Sequence, residues 1–486
     1  MPQGQSLCQS IYQYLAAQIK LGYYKKGTRL LTIHELCKRF RVSIGTAHKA
    51  LLQLRDDGYI TLSKGTPAIV TWDYQEVSKR SYDPHFYAAR KDAMLALNQT
   101  LHFLFPSAWL LGSQLLKEPE QKELAQLKAR GELFSYFYFL LKPLGNPLFL
   151  RLFYDIDDFL QYLYVRKLQT ERFAHTVMRY SDDLAACLPL WEKQAFSALQ
   201  LRLEALYQAS QRSLENWFET SIPPAAQEQI PFQWQAYRGH LQENYTLATE
   251  LVHSILNGSY PSEQFLPSAT ALAEEYNASV STVRHTIAIL NRLGITKTRN
   301  GRGSYVAVWK ESTVSTALRS PDLRKKLLLY LYCLQILALS TATVARAALP
   351  QASAAALAAA EASLSKDLRN DVLLSTPGAC LRLITEATSN ATIRTIYRQL
   401  LDTLLWGCLL YFQPSHITPI PDWAGTASTL SESLRRRDAD TFAFALQKLL
   451  TDIFHLSQQA LLSIGIAEAS KPADPFASLA ENEPEK

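Results

Sequence analysis

Cysteine and methionine are scarce in this 486-residue chain, which contains six and three of them respectively. The cysteines stand far apart, without the Cys-x-x-Cys or cysteine–histidine spacing that structural zinc sites use. Most of them lie in apolar segments with helical spacing, which predicts buried, reduced thiols and neither a disulfide framework nor a metal site. The cysteines are Cys8, Cys37, Cys187, Cys333, Cys380 and Cys408.

Long hydrophobic runs are absent as well. The first nine residues contain no apolar signal region, and the longest apolar run, residues 327–339, is interrupted by Gln335. That run is shorter than the about 20 residues that a membrane-spanning helix needs. We therefore predict a buried core helix at this place, no membrane partner and a cytoplasmic location.

Motifs that carry catalysis are also lacking. The chain has no glycine-rich phosphate loop, no nucleophile elbow and no lysine-bearing cofactor motif. The acidic runs at 155–158 and 182–183 are typical of solvated helix faces or caps. We predict that the protein is not an enzyme and has no catalytic residues and no cofactor.

What the sequence does contain is a repeated pattern. Two segments match at a constant offset of 236 positions, without an insertion. Because the matched residues include helix caps, core positions and hairpin glycines, the offset indicates a duplicated module. The matched pairs are Gly22 and Gly258, Tyr24 and Tyr260, Leu30 and Leu266, Leu36 and Leu272, Ser43 and Ser279, Thr46 and Thr282, Leu54 and Leu290, Gly58 and Gly294, Gly65 and Gly301, and Val70 and Val306.

The first copy has the pattern of a winged helix-turn-helix. Thr32 and Glu35 have the spacing of a capping box at the start of one helix. Ser43 is placed to cap a second helix, which is expected to stop at Gly58. Residues 59–71 then predict a short hairpin, the wing.

The second copy repeats this order. Ser268 and Ser279 are its predicted helix caps, Gly294 ends its second helix, and a hairpin follows. The hairpin turn carries Arg299 and Arg302 among glycines, which suits contact with backbone phosphates or a minor groove. Both copies therefore predict modules that bind double-stranded DNA.

Both segments resemble the GntR family of bacterial transcription regulators. The first copy departs from the family pattern, with Leu31 in place of a proline and His48 in place of an arginine. Both copies lack the arginine that the family often has after its serine cap, and have Ile44 and Val280 there. The resemblance therefore implies a winged fold and DNA binding, but it does not transfer a sequence preference. The runs most similar to the family are 266–268, 279–284 and 301–306.

In such modules the start of the second helix faces base edges in the major groove. Arg284 is a candidate for a bidentate guanine contact, with a phosphate contact as the alternative. Arg29, beside the first cap, is expected to meet a phosphate. The predicted DNA-binding residues are Arg29, Thr32, Ser43, Thr46, His48, Lys49, Lys64 and Thr66 in the first copy, and Ser268, Ser279, Thr282, Arg284, His285, Arg299 and Arg302 in the second.

Charge is distributed unequally between the two copies. Residues 6–73 hold ten Lys and Arg against four Asp and Glu, a balance of +6, whereas residues 240–310 hold six against five, a balance of +1. The first copy is expected to supply phosphate attraction and the second to share in the base reading. The alternative is that the surplus is only a solvated surface.

The segments behind each module are predicted to be helical. Apolar residues recur in them at helical spacing, and glycine and proline cluster at the breaks. We predict a mainly α fold with tandem winged helix-turn-helix domains, each followed by an all-α helical bundle. The predicted domains are a winged module at 6–73, a helical domain at 80–220, a linker at 221–239, a winged module at 240–310, a helical domain at 311–470 and a disordered tail at 471–486.

The helical segments resemble the all-α effector domain of FadR-like GntR regulators, through residues 145–152, 389–394 and 430–446. Many proteins with that domain hold a metal through histidines. Phe137 and Leu381 stand where the resemblance expects a histidine, nine residues before an asparagine. We therefore predict no metal in either helical domain.

These features predict a bacterial, nucleoid-associated transcription regulator that binds operator DNA through two unequal winged modules. Its helical domains would sense a small-molecule effector, mediate dimerisation, or both. One chain with two modules could act as a covalent pseudo-dimer at an asymmetric site, or form a homodimer that presents four modules. The alternative function is a ligand-independent DNA-architectural or protein-interaction scaffold.

Overall fold

The computed structural model is mainly α-helical, with two short antiparallel hairpins among the residues that it describes. These residues are 24–40, 42–63, 66–72, 84–129, 133–160, 180–193, 195–225, 228–234, 258–292, 294–307, 321–370, 376–404 and 423–475, with isolated residues between the ranges.

The first motif, residues 24–72, contains two helices and a hairpin. Gly58 adopts a φ of 77° just after the second helix, and its N–H donates to the Arg55 carbonyl at 2.9 Å, as the predicted helix stop requires. Leu36, Leu54 and Val70 are fully buried in a core that belongs to this motif. The elements are α1 (Ile33–Phe40), α2 (Ile44–Asp56), β1 (Ile60–Thr61) and β2 (Ile69–Val70).

The first helical region, residues 84–236, follows this motif. Its helices bury an aromatic-rich core in which Phe105 and Phe149 are completely inaccessible to solvent. The helices are α3 (Pro84–Ala88), α4 (Lys91–Leu104), α5 (Pro106–Leu115), α6 (Glu118–Ala129), α7 (Leu133–Leu141), α8 (Pro147–Leu160), α9 (Leu188–Glu192) and α10 (Phe196–Ser221), with a 3₁₀ turn at Lys142–Leu144.

The described part of the predicted linker packs against the first helical region. Phe232 and Trp234 are buried there, and the Ile230 N–H donates to the Ala89 carbonyl at 2.7 Å. The side-chain amide of Gln229 accepts a hydrogen bond from the Asp92 N–H at 3.1 Å. The proline signal marked the end of α10 correctly, but the aromatic side chains that follow it gain more from burial than from exposure in a linker.

The second motif, residues 258–307, repeats the order of the first. In its hairpin Thr296 pairs with Val306 and Arg299 pairs with Gly303. The elements are α11 (Ala269–Glu275), α12 (Val280–Arg292), β3 (Thr296–Arg299) and β4 (Gly303–Val306).

The second helical region, residues 321–475, is centred on one long helix. This helix, α13 (Pro321–Ala348), is the one helix in the described ranges that is long and apolar enough to span a membrane, but most of its apolar stretch is buried inside the protein. It packs against α18 (Ala439–Ser463), α16 (Ala391–Leu404) and α4, in agreement with the predicted core helix. The helices are α13 (Pro321–Ala348), α14 (Ala354–Asn370), α15 (Thr376–Ala387), α16 (Ala391–Leu404), α17 (Trp423–Arg436) and α18 (Ala439–Ser463), with 3₁₀ turns at Leu349–Gln351 and Ala467–Ser470.

The start of the predicted disordered tail is ordered. The Ala473 N–H donates to the Leu144 carbonyl at 2.9 Å, and the Gln335 side chain donates to the Ala473 carbonyl at 2.6 Å. Residues 471–475 are therefore held by backbone hydrogen bonds that composition does not reveal, and residues 476–486 lie outside the described part of the chain.

The cysteines in the described part of the chain are free thiols, as predicted. Burial raises the pKa of Cys333 and of Cys380 to about 12, so neither is a thiolate at neutral pH. Cys37 is only partly buried, and Cys408 lies outside the described residues.

Candidate nucleic-acid interface

The first helix of each motif begins at a side-chain cap. The Thr32 N–H donates to the Glu35 carboxylate at 2.7 Å, and the Glu35 N–H donates to the Thr32 hydroxyl at 3.3 Å, which completes the predicted capping box. The Thr32 N–H and the Thr32 hydroxyl both donate to the Glu35 carboxylate and thereby lower the pKa of Glu35. In the second motif the Ser268 hydroxyl accepts from the Ala271 N–H at 3.1 Å. Thr32 and Ser268 therefore fix the helix starts.

The second helix of each motif begins with the same arrangement of hydroxyls. The Ser43 hydroxyl accepts from the Thr46 N–H at 3.2 Å, and the two hydroxyl oxygens lie 2.8 Å apart. Ser279 and Thr282 repeat this geometry, at 3.0 and 2.8 Å. All four predicted contact residues thus have a structural task at the helix start.

The larger polar side chains of these helices face solvent. His48 and Lys49 are exposed on α2, and Arg284 and His285 are exposed on α12. Each pair lies in the second turn after the serine cap, on the side of the helix away from the core of its motif. An exposed arginine there has the donors to bind a guanine edge or a phosphate, whereas the first motif offers one lysine and one histidine.

An apolar residue at the tip of α2 was not among the predicted contacts. The Ile44 side chain is 57% exposed, directly after the Ser43 cap. Its counterpart Val280 is half-buried. An apolar side chain in a major groove can contact a thymine methyl group but offers no hydrogen bond to guanine. The sequence contained a signal for this exposed residue, because Ile44 stands where the family often has an arginine after its serine cap.

The wing of the second motif is held by polar side chains to α12, which, like α2, is a candidate recognition helix. The Asn291 amide donates to the Thr298 hydroxyl at 2.7 Å and accepts from the Thr296 hydroxyl at 2.8 Å. The Thr298 and Ser304 hydroxyls are 2.7 Å apart across the two strands. This network was not predicted. The first motif has Arg55, Ile60 and Leu62 at the positions 236 residues earlier.

The arginines of the second wing are exposed at its turn. The Arg299 guanidinium lies 5.0 Å from the ring centre of Tyr305, which orients it by a cation–π contact. The Arg302 N–H donates to the Arg299 carbonyl at 3.0 Å, and Gly301 and Gly303 adopt positive φ values of 74° and 104°. The turn thus presents two cations on a fixed backbone.

The first wing is built differently. Thr66 is exposed and its hydroxyl donates to the Ser63 carbonyl at 3.2 Å, while the predicted contact Lys64 lies outside the described residues. Arg29 is exposed and forms a backbone bridge with Ile69 at the edge of the hairpin. In the second motif the equivalent bridge joins Phe265 and Tyr305, so the cation at this edge is particular to the first motif.

Metal ligands do not cluster in the described ranges, where no group of three His, Cys, Asp or Glu side chains is placed to hold an ion. The positions predicted to lack the family's histidine are filled by Phe137 and Leu381, both buried in the helical core.

Comparison with known protein families gives two matches. The family described as "Bacterial regulatory proteins, gntR family" matches residues 245–306, and a family described as "Helix-turn-helix domain" matches residues 25–65. The two matched segments contain the two motifs described above. No curated protein matches the chain.

Three solved structures are similar to parts of the chain. The first is a GntR protein of Streptococcus agalactiae, with 20% identity over 44% of this chain and 99% of that one and a TM-score of 0.18. The second is described as Lar, which controls expression of the Listeria monocytogenes agr system, with 15% identity over 44% of this chain and 95% of that one and a TM-score of 0.19. The third is a GntR family member from Pseudomonas syringae pathovar tomato, with 21% identity over 48% of this chain and 91% of that one and a TM-score of 0.20. TM-scores of this size do not establish a shared overall fold.

Proposed function

We propose that this chain, whose segment 245–306 matches the model of the gntR family of bacterial regulatory proteins, is a sequence-specific transcription regulator with two unequal winged modules. The family is one of regulatory proteins rather than of enzymes. The observation that supports the proposal most is the exposure of three arginines in the second motif. Arg284 lies on a capped helix, and Arg299 and Arg302 lie at the turn of the wing that follows it.

The two motifs divide the work of binding. The second motif carries the arginine suited to base reading, and its wing is anchored by Asn291 and its threonine partners. The first motif contributes the larger positive charge, with Arg29 and Lys49 exposed toward solvent, and therefore most of the phosphate attraction. Because the two recognition helices differ in sequence, the operator is asymmetric. The protein works in the cytoplasm, at the nucleoid.

The helical regions give the regulator its second role. Their resemblance to an effector domain supports sensing of a small molecule, without the histidine-bound metal of many relatives. A ligand screen by thermal shift needs the whole chain, because the two helical regions share one buried core and an isolated second region would expose its part of that core. A ligand that binds the folded state raises the unfolding temperature by mass action.

The test of DNA reading begins with the full-length protein and a library of random 40-base-pair duplexes. Binding of the selected duplex is then compared with a scrambled duplex for the unmutated protein and for Arg284→Ala. We expect Arg284→Ala to lose roughly 1–3 kcal/mol on the selected duplex and little on the scrambled one, because a bidentate base contact is specific. Arg398→Ala, at an exposed arginine of the second helical region, is the matched control and is expected to bind normally.

The outcomes separate the competing functions. Equal losses on both duplexes make Arg284 a phosphate contact, and an unchanged affinity removes it from the interface. Tight binding with no sequence enrichment in the selection would instead favour the DNA-architectural alternative. No binding of duplex DNA at any salt concentration would refute the proposed function.

A further inference from the structure

A buried asparagine at the start of α8 reaches from the first half of the chain (residues 1–239) into the second half (residues 240–486). The Asn146 side-chain oxygen accepts from the Phe149 N–H at 3.0 Å, so it caps the helix. Its Nδ2 donates to the Gln335 side-chain oxygen at 2.8 Å and to the Tyr332 carbonyl at 2.9 Å. Asn146 and Gln335 are completely buried.

A second asparagine, at the start of α16, makes the reverse contact. The Asn390 side-chain oxygen accepts from the Thr392 and Ile393 N–H groups at 2.9 and 3.0 Å. Its Nδ2 donates to the Gln99 side-chain oxygen and to the Ala96 carbonyl, both at 2.8 Å. Each asparagine therefore caps its own helix and binds one glutamine and one backbone carbonyl of the other half.

The partners of the two asparagines are equivalent positions of the repeat. Ala96 and Tyr332, like Gln99 and Gln335, are separated by the same 236 residues as the winged motifs. At the scale of helices, α8 packs on α13, α16 packs on α4, and α4 packs on α13. Asn146 of the first half thus contacts Gln335 of the second, and Asn390 of the second half contacts Gln99 of the first. Such reciprocal contacts between equivalent positions define an isologous, two-fold interface.

We infer that the two halves of this chain form an intramolecular two-fold pair, so that the partner surface of each helical region is the other half of the same chain and no second copy is needed. Asn146, Gln335 and Asn390 are buried and Gln99 is half-buried. Separation of the halves would leave the two asparagine Nδ2 donors and the two glutamine side-chain oxygens without these partners. One continuous apolar core also spans it. A homodimer with four modules is thereby disfavoured.

Under the proposed function, on which this step rests, the internal pair also determines how one chain binds DNA. The internal pair joins the two recognition helices of one chain through the paired helical regions, as a homodimer joins those of its two copies. One chain then fills one operator, and the operator need not be a palindrome, since the halves are not identical.

The test uses the full chain with a protease recognition sequence inserted after Gly239, so that residues 228–236 stay with the first half. Before cleavage we expect the mass of one chain, 54.8 kDa for the natural sequence plus the insert, at all concentrations from about 0.1 to 50 μM. After cleavage we expect the two pieces to stay together in gel filtration at 1 μM. A double variant, Asn146→Ala with Asn390→Ala, is expected to raise the Kd of the cleaved pieces at least tenfold.

Asn216→Ala, at an exposed asparagine of α10, is the matched control and should leave that Kd unchanged. Pieces that separate on cleavage, or an uncleaved chain with twice the mass of one chain throughout the range, would overturn the inference. If the double variant does not fold, cleavage of the chain with Asn146 and Asn390 unchanged still tests whether the two halves stay together. None of these measurements uses DNA, so failure of the proposed function is seen separately, in the duplex selection.

Discussion

His102 is a single titratable side chain enclosed by the first helical region. Its Nδ1 lies 2.7 Å from the Asn98 carbonyl oxygen, and because a carbonyl only accepts, Nδ1 carries the proton. Its Nε2 has no hydrogen-bond partner among the described residues. The Tyr180 ring stands edge-on, 4.7 Å away. A charge on this imidazole would be unpaired, and burial accordingly lowers the pKa of His102 to about 4.

This lowered pKa predicts how stability depends on pH. In the unfolded chain the pKa of a histidine is about 6.5, so between pH 6.5 and 4 the unfolded state binds the extra proton. The stability linked to neutral His102 is therefore complete above about pH 6.5 and is lost as the pH falls toward 4. His102→Leu should reduce the acid-induced fall in unfolding free energy by something on the order of 3 kcal/mol.

Urea unfolding at several pH values, followed by tryptophan fluorescence, measures this difference. His34→Gln is the matched control, because His34 is exposed on α1 and should leave the pH dependence as it is. An acid-induced fall in His102→Leu as steep as in the unmutated protein would contradict the assignment of a neutral, buried imidazole.

At the scale of elements, one turn depends on a close approach of the C-terminal segment. Gly145 ends the 3₁₀ turn with a φ of 65°, and a Cβ added to it would lie 1.9 Å from the Lys471 carbonyl oxygen. Residues 471–475 thus pass directly over this glycine. Only a residue without a side chain allows the turn and the segment to lie together.

Two glycine variants separate backbone strain from this collision. Gly27 also has a positive φ, 85°, but a Cβ there meets nothing within 4 Å. Gly27→Ala should therefore cost only the strain of a left-handed alanine, about 1–2 kcal/mol. Gly145→Ala adds the steric clash with the Lys471 carbonyl. Its free energy of unfolding, measured by chemical denaturation, should therefore fall by clearly more than that of Gly27→Ala. Deleting residues 471–486 in the Gly145→Ala background should restore part of the loss. If both alanine variants lose the same free energy of unfolding, residues 471–475 move aside without a cost in stability, and the close approach to Gly145 is not required.

The elements that sequence reasoning predicted are those with local causes. The caps at Thr32, Ser43 and Ser279 and the stop at Gly58 follow from hydrogen bonds within a few residues, and both hairpins lie within one or two residues of their expected positions. The packing of 228–236 and of 471–475, and the exchange made by Asn146, depend on residues far away in the chain. No pattern within a window encodes such contacts, even though the repeat offset suggested which positions correspond.

The same limit applied to the candidate interface. Sequence spacing located the recognition helices and wings, and most of the exposed side chains among the predicted residues lie on them, whereas Thr32 and Ser268 cap the first helix of each motif. It did not foresee that Ser43 and Thr46 would bind each other, nor that Asn291 would anchor a wing, because these depend on side-chain orientation. The role of each predicted residue in DNA binding stays a prediction until binding is measured.

For the whole molecule, the unequal charge of the two motifs predicts an unequal response to salt. Each phosphate contact that is removed should reduce the slope of log K against log salt by about 0.9, because one fewer counterion is released. Arg29→Ala and Lys49→Ala should therefore each weaken binding to the selected and to the scrambled duplex alike. Each should also reduce the slope of log K against log salt by about 0.9. Arg284→Ala, by contrast, should change the preference between the duplexes.

Fluorescence anisotropy between 50 and 200 mM salt measures both quantities on the same samples. Lys122→Ala is the control for removal of a positive charge, since Lys122 is 73% exposed on α6 and pairs with Glu118, away from both motifs. If Arg29→Ala and Lys49→Ala leave the slope of log K against log salt as Lys122→Ala does, these two charges of the first motif belong to a solvated surface and do not contact phosphates.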